Sequence, residues 1–108
     1  MQTKHKNKTY KLLTSTIKVI YEDQVFNDDG EYLYGIQRNR LNVIEIHISI
    51  KDGDGKPLNE DFIESTLRHE LFHTILGMLY MDDASSNETL VEWLANATLM
   101  LNKQGLTI

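Results

Sequence analysis

The chain has 108 residues, no cysteine and a formal net charge of −5, from 11 basic and 16 acidic side chains. This length is typical of a single domain, and we expect residues 1–108 to form one, with residues 1–8 as a flexible arm. The absence of cysteine excludes disulfides, thiolate metal ligands and a cysteine nucleophile. The acidic balance argues against a nucleic acid partner. Because the sequence shows neither an export signal nor an apolar stretch that would cross a bilayer, we expect no membrane partner and a cytoplasmic protein.

The first half of the chain is predicted to form strands. Residues 10–21 are rich in β-branched side chains without a helical period, and residues 31–37 follow a turn signal at 27–30. The clearest strand spans residues 43–50, where isoleucines alternate with more polar residues. This period of two is typical of a strand with one apolar face.

The segment that follows this strand is rich in Asp and Gly and matches part of a calcium-binding EF-hand loop. Its third, fifth and sixth positions would be Asp52, Asp54 and Gly55. The first and twelfth positions would then be Ile50 and Asp61, where the loop needs Asp and a bidentate Glu. We therefore predict a turn between a strand and a helix.

Two helices are predicted in the second half. The first begins after an N-cap at Asn59 and runs from residue 60 to about residue 80. Apolar side chains surround almost its whole circumference, which indicates a buried helix. After a break, Ser86 or Asn87 caps a second helix that runs from residue 88 to about residue 103 and ends before Gly105.

The chemistry is concentrated in the first of these helices, at His69, Glu70 and His73. Two histidines four residues apart project from one helical face, and the intervening glutamate lies beside a metal ion that they hold. Neutral imidazoles bind Zn²⁺, and the ion lowers the pKa of its bound water to about 7. Glu70 then serves as general base for the water and as general acid for the leaving amine. Because burial of three unpaired ionisable groups is costly, the apolar helix favours a metal site.

A catalytic zinc site usually takes a third protein ligand, which here must be His, Asp or Glu. The final helix presents Glu88, Glu92 and Asn96 on one face. If a tight loop joins two antiparallel helices, Glu92 lies as far from the loop as His73, whereas Glu88 lies about 6 Å nearer the loop. This spacing favours Glu92 as the third ligand, with Glu88 as the alternative.

With these motifs the chain resembles the gluzincin-type zincin metallopeptidases, and in particular the small ImmA/IrrE-type enzymes of phages and mobile elements. The resemblance covers most of the chain, from the alternating strand through residue 101, and is carried by residues 66–76 and 87–96. In the ImmA/IrrE-type pattern the ligand opens a Glu-x-x-Ala-Asn run, which selects Glu92. In the thermolysin-like pattern the ligand is the glutamate of Asn-Glu-x-x-x-Asp, which selects Glu88. Glu92 then takes the place of the Asp, an acid that supports the ligands without binding the metal. The spacing and the Ala-Asn pair together favour Glu92, with Asn96 or Glu88 as a partner to a histidine.

The resemblance implies an α+β, zincin-like fold: a small, mainly antiparallel N-terminal sheet packs on the active-site helix, with the C-terminal helix behind it. In such enzymes an edge strand pairs with the peptide substrate, and residues 43–50, with His47 on the polar face, are the candidate. No match is identifiable for the residue that stabilises the transition state opposite Glu70. The candidates for that role are Tyr32, Tyr34 and Tyr80.

The predicted function is zinc-dependent hydrolysis of a peptide bond in a peptide or protein substrate. One Zn²⁺ is bound by His69, His73 and Glu92, and Glu70 is the catalytic residue. The alternative is a non-catalytic regulatory or interaction module with a structural or vestigial zinc site. A closed shell of four protein ligands would favour the alternative.

Overall fold

The computed structural model describes residues 5–79 and 81–107. The chain divides into two compact units, an N-terminal unit up to Leu58 and a C-terminal unit from Asn59. Over the described residues the fold is α+β with a mixed sheet and three helices, which confirms the predicted class. The strands are β1 (Lys8–Leu12), β2 (Ser15–Glu22), β3 (Val25–Phe26), β4 (Tyr32–Leu33), β5 (Gly35–Arg40) and β6 (Val43–Ser49), and the helices are α1 (Glu60–Met78), α2 (Asp82–Ser85) and α3 (Glu88–Lys103).

The main sheet of the N-terminal unit has four strands in the order β1-β2-β6-β5. The outer pairs β1–β2 and β5–β6 are antiparallel, as expected, but the central strands β2 and β6 are parallel. Strands β3 and β4 form a second, two-stranded sheet around the predicted turn. That turn is confirmed by Gly30, which has φ 81° and donates its N–H to the Asn27 carbonyl at 3.0 Å.

Strand β6 confirms the predicted alternation but not the predicted edge position. Ile46 and Ile48 are fully buried, as the apolar face requires. Its backbone, however, pairs with β2 on one side and with β5 on the other, so the expectation of an edge strand open to a peptide is wrong. The alternation of a sequence reports which face of a strand is buried and does not report how many neighbours the strand has.

The predicted strand over residues 10–21 is two strands, β1 and β2, joined by a two-residue turn. The sequence gives no signal for this turn, because it contains neither Gly nor Asn. Leu13 takes the positive φ, 55°, that those residues usually supply. The predicted strand over residues 31–37 is likewise divided, into β4 and the longer β5.

The end of the predicted N-terminal arm, residues 7–8, is tied to the sheet. Lys8 already pairs with Val19 in β1–β2, and the Asn7 side chain accepts a hydrogen bond from the Tyr21 N–H at 2.8 Å. Residues 1–4 lie outside the described residues. The strand begins early because Thr9 and Tyr10 favour extended backbone.

The segment after β6 forms the predicted turn. The Asp52 carboxylate accepts hydrogen bonds from the backbone N–H groups of Asp54 and Lys56, each at 2.9 Å. Lys51 and Pro57 close the turn as an isolated bridge. The carboxylate is therefore engaged by the loop's own backbone.

Both long helices begin at caps that the sequence indicates. The Asn59 side chain accepts from the Asp61 N–H at 2.8 Å, and the Asn87 side chain accepts from the Leu90 N–H at 3.0 Å. Helix α1 ends at Met78, close to the predicted end, and Tyr80 lies outside the described residues. Helix α3 has the predicted bounds. The short helix α2 in the connection was not predicted.

Helix α1 is less buried than its composition predicts. Among its described residues only Ile63 and Thr74 are fully buried, and Phe62 is exposed. A chain of this length has too few elements to cover one helix on all sides. Within the described part of the chain, no helix has the length and the apolar character needed to cross a membrane.

Candidate metal centre

Helices α1 and α3 of the C-terminal unit lie antiparallel, and polar side chains meet between them once per turn. Each successive contact advances four residues along α1 and retreats four along α3, which keeps one face of each helix in register. The contacts join Ser65 Oγ to Asn96 Oδ1 at 2.8 Å, His69 Nδ1 to Glu92 Oε2 at 3.2 Å and His73 Nε2 to Glu88 Oε2 at 3.1 Å.

Three of these side chains converge on one point. The Nε2 atoms of His69 and His73 lie 3.2 Å apart. Glu88 places Oε1 3.1 Å from His69 Nε2 and Oε2 3.1 Å from His73 Nε2. Each residue thus offers a ligand atom to a common site, and these atoms all lie within 4.8 Å of one another.

The donor set fits a divalent zinc ion. Two imidazoles and one carboxylate are a known ligand set of hydrolytic zinc sites. Zinc–nitrogen bonds of about 2.0–2.1 Å in tetrahedral geometry separate two nitrogens by about 3.3–3.4 Å. The observed spacing of the two Nε2 atoms, 3.2 Å, is close to that value.

Glu92 contacts the other ring nitrogen of His69. Its Oε2 lies 3.2 Å from Nδ1, so the His69 tautomer with its proton on Nδ1 would pair with this carboxylate and turn the Nε2 lone pair toward the site. The predicted ligand set named Glu92 as third ligand and Glu88 as the alternative. The structure places Glu88, and not Glu92, against both Nε2 atoms. Asn96 is engaged by Ser65, one helical turn before His69.

The difference from the predicted set arises in the connection between the helices. A count of residues from the loop places Glu92 opposite His73 only if α3 restarts level with the end of α1. Instead, the Ser85 hydroxyl donates to the His73 carbonyl at 3.1 Å, so the chain folds back along α1 before α3 begins. Glu88 therefore lies opposite His73, and Glu92 lies opposite His69. Of the two sequence patterns considered, the thermolysin-like one selects the residue, Glu88, that lies against both Nε2 atoms.

Glu70 lies close enough to this cluster for the cluster's charges to act on it. Burial raises the pKa of the Glu70 carboxyl, His69 and His73 lower it in part, and Glu88 raises it further. A carboxyl with a raised pKa both accepts and returns a proton more readily near neutral pH. These properties suit a general base that later acts as an acid.

The acidic side of the cluster is open to solvent. The Glu88 side chain is 69% exposed, and that of Glu92 is 56% exposed. Both line a shallow pocket on α3 together with Thr89, Trp93 and Asn96. The carboxylate side of the site is therefore accessible from solvent.

The other candidate residues lie in different surroundings. In the N-terminal unit, His47 has Glu22 Oε2 2.6 Å from Nδ1 and Glu45 Oε1 2.9 Å from Nε2, so both ring nitrogens face carboxylates of the sheet. The Tyr32 hydroxyl donates to the Lys51 carbonyl. Tyr34 is exposed in the same unit, and the candidate Tyr80 lies outside the described residues. These contacts assign none of them to the transition state.

A comparison of the chain with known protein families, with characterised proteins and with solved structures found no match. Function is therefore proposed from the residues and their geometry.

Proposed function

We propose that this chain is a zinc-dependent metallopeptidase of the zincin-like kind, which hydrolyses a peptide bond in a protein or peptide substrate. One Zn²⁺ is held by His69, His73 and Glu88. The observation that carries the proposal is the convergence of these side chains from two helices, with donor atoms 3.1–3.2 Å apart.

The residues of the proposed site have different roles in holding the ion. His69 and His73 present neutral Nε2 lone pairs, and Glu88 neutralises part of the positive charge. Glu92 holds the Nδ1–H of His69, which fixes the ring tautomer and orientation. A Zn²⁺ ion bound by these three residues would supply Lewis acidity and would lower the pKa of its bound water.

Glu70 moves the proton. Its carboxylate accepts a proton from the attacking water while the water oxygen adds to the scissile carbonyl carbon. The carboxyl then gives this proton to the amine nitrogen as the C–N bond breaks. Burial favours the protonated form of Glu70, which helps the carboxyl to retain the proton between the two steps.

The variant Glu70→Gln separates catalysis from metal binding. The amide that replaces the carboxylate cannot take a proton, so we expect cleavage to fall by about 10²–10⁴-fold while bound zinc is retained. Cleavage of a mixture of unstructured peptides, read by mass spectrometry, measures the first quantity, and metal analysis measures the second. Asp83→Asn, an equal charge change at an exposed residue of the same unit, is the control and should cleave normally. Cleavage by Glu70→Gln at the wild-type rate would contradict the proposed mechanism.

The second candidate is a non-catalytic module with a structural zinc ion. It is favoured by one observation, that no donor for the transition state can be assigned among residues 5–79 and 81–107. In that case chelation unfolds the C-terminal unit, and zinc-loaded protein leaves the peptide mixture intact. Cleavage by the zinc-loaded wild type that is lost in Glu70→Gln excludes this candidate.

A further inference from the structure

We propose that one end of the four-stranded sheet docks on an anionic phospholipid membrane. This turn end comprises residues 11–18 and 39–45, which form the β1–β2 and β5–β6 turns and the strand residues next to them. Strands β2 and β6 are parallel neighbours, with Thr16 opposite Val43, so the two turns lie side by side. The surface belongs to the N-terminal unit and is independent of the proposed zinc site.

Each of the two turns exposes a leucine. Leu41 is 90% exposed and Leu13 is 73% exposed, the two highest values among the large hydrophobic residues of the described chain. Leu13 also has φ 55°, a left-handed conformation that Gly or Asn adopts at lower cost. A single exposed leucine is ordinary on a protein surface. Here two leucines are exposed on adjacent turns, one of them with a strained backbone, and neither contributes to the core of this unit.

The segments that carry the two leucines also carry an excess of cations. The turn end carries three cations, Lys11, Lys18 and Arg40, and one acid, Glu45. Its local net charge is therefore +2, whereas the net charge of the whole chain is −5. Lys11 Nζ contacts the Thr16 hydroxyl at 2.6 Å, and Arg40 Nε lies 3.3 Å from Glu45 Oε1. The positive charge is thus concentrated where the apolar side chains protrude.

A pocket between the turns is lined by groups that suit phosphate oxygens. Lys11 and Arg40 supply cationic donors, and hydroxyl and amide side chains supply neutral ones. The neutral lining groups belong to Thr14, Ser15, Thr16, Asn39 and Asn42. Thr14 and Asn42 in this lining are the chain neighbours of Leu13 and Leu41, so a phosphate headgroup held here lies next to both turns.

The two exposed leucines favour a membrane over the other classes of anionic partner, nucleic acids and proteins. A nucleic acid would engage the cations but leave both leucines in water, and a protein partner would need a complementary apolar pocket for each tip. A bilayer accepts protruding apolar side chains without such a pocket, and its anionic headgroups attract the flanking cations. Peripheral docking needs no spanning segment, so it departs from the sequence expectation of no membrane partner.

The test is co-sedimentation of the full chain with vesicles at low ionic strength. We expect binding to vesicles of equimolar phosphatidylserine and phosphatidylcholine, little binding to phosphatidylcholine alone, and release as salt is raised. Replacing Lys11 or Arg40 with Gln should weaken binding about fivefold each. Lys56→Gln, the same charge change at an exposed residue outside the turn end, should bind as wild type.

The apolar contribution is tested by the double variant Leu13→Asn, Leu41→Asn. Asn accepts the positive φ at position 13 and both side chains are exposed, so the fold should be retained, as circular dichroism will verify. We expect about a tenfold or larger loss of vesicle binding. Leu106→Ser, at another exposed leucine, is the control.

Three outcomes would overturn the proposal. One is that the wild type binds neither kind of vesicle, or binds both equally. Another is that the leucine double variant binds as well as the wild type. The third is that a single-stranded oligonucleotide binds wild type and double variant equally and displaces both from vesicles, which would assign the cations to nucleic acid.

Discussion

His69 and His73 point their Nε2 atoms at each other across one turn of α1, 3.2 Å apart. Only one proton fits between two nitrogens at that distance, so at least one of them presents a lone pair to the other. Glu88, 3.1 Å from both nitrogens, brings a negative charge to the same point. This arrangement needs little change to accept a divalent cation, because the spacing is already near that of ligands on one ion.

Glu92 is predicted to support the metal through His69 and not to bind it. Glu92→Gln weakens the hold on the His69 Nδ1–H, and we expect zinc affinity to fall by about 10–100-fold without being abolished. Competition with a chromogenic chelator measures the affinity. Asp83→Asn is the charge-matched control and should leave the affinity unchanged. An unchanged affinity in Glu92→Gln would show that the contact with Nδ1 does not matter.

The start of α3 depends on Asn87, whose side chain caps the helix one residue before Glu88. Asn87→Ala removes the acceptor for the Leu90 N–H, and we expect a loss of about 1 kcal/mol in the free energy of unfolding. Asn87→Asp keeps the acceptor and should retain most of this stability. Urea denaturation followed by circular dichroism measures both variants. Equal stability of Asn87→Ala and wild type would contradict the role of the cap.

Ser49 is predicted to join the two sheets of the N-terminal unit. It is buried at the end of β6, accepts a hydrogen bond from the Val25 N–H at 2.8 Å and donates to the Leu33 carbonyl at 2.7 Å. Ser49→Ala leaves both backbone groups without this partner, and we expect a loss of about 1–3 kcal/mol in stability. Ser15→Ala, at the start of β2, is the control. A chemical denaturation curve for Ser49→Ala that overlays the wild-type curve would refute this prediction.

The carboxylate of Glu45 makes part of the stability of the sheet depend on pH. The hydrogen bond with His47, and then the contacts with Arg40, hold the pKa of Glu45 below its ordinary value of 4.5. A carboxyl whose pKa is lower in the folded state stabilises the fold above the unfolded-state pKa, and this contribution is lost as the pH falls through the folded-state pKa.

Glu45→Gln should therefore lower the urea midpoint at neutral pH and differ less from the wild type well below pH 4.5. Glu31→Gln, at an exposed residue of the same unit, gives the charge-matched comparison. A difference between Glu45→Gln and wild type that is the same at both pH values would contradict this assignment.

The parts of the fold that the sequence predicts are those with local causes. The alternation of β6 and the caps Asn59 and Asn87 depend on neighbouring residues alone, and the structure has them at the predicted positions. The turn at Leu13 was not predicted, because leucine gives no turn signal and takes a positive φ only in the context of the paired strands. The neighbours of β6 are likewise set by pairing over long distances in the chain.

The candidate site divides in the same way. His69 and His73 lie on the same face of α1 because they are four residues apart on one helix. The residue opposite them depends on how the connection runs, and the contact from Ser85 to the His73 carbonyl has no local signature. The count of residues to the loop therefore favoured Glu92, whereas the folded connection brings Glu88 to the two Nε2 atoms.

The identity of the metal ligands is tested most directly by zinc binding to wild type, Glu88→Gln and Glu92→Gln, combined with X-ray absorption of the zinc-loaded wild type. We predict one zinc ion per chain with two imidazole nitrogens and a carboxylate oxygen among its ligands. We also predict a larger loss of affinity in Glu88→Gln than in Glu92→Gln. A wild-type protein that binds no added zinc would contradict the proposed centre, and so would zinc binding that survives in Glu88→Gln but is abolished in Glu92→Gln.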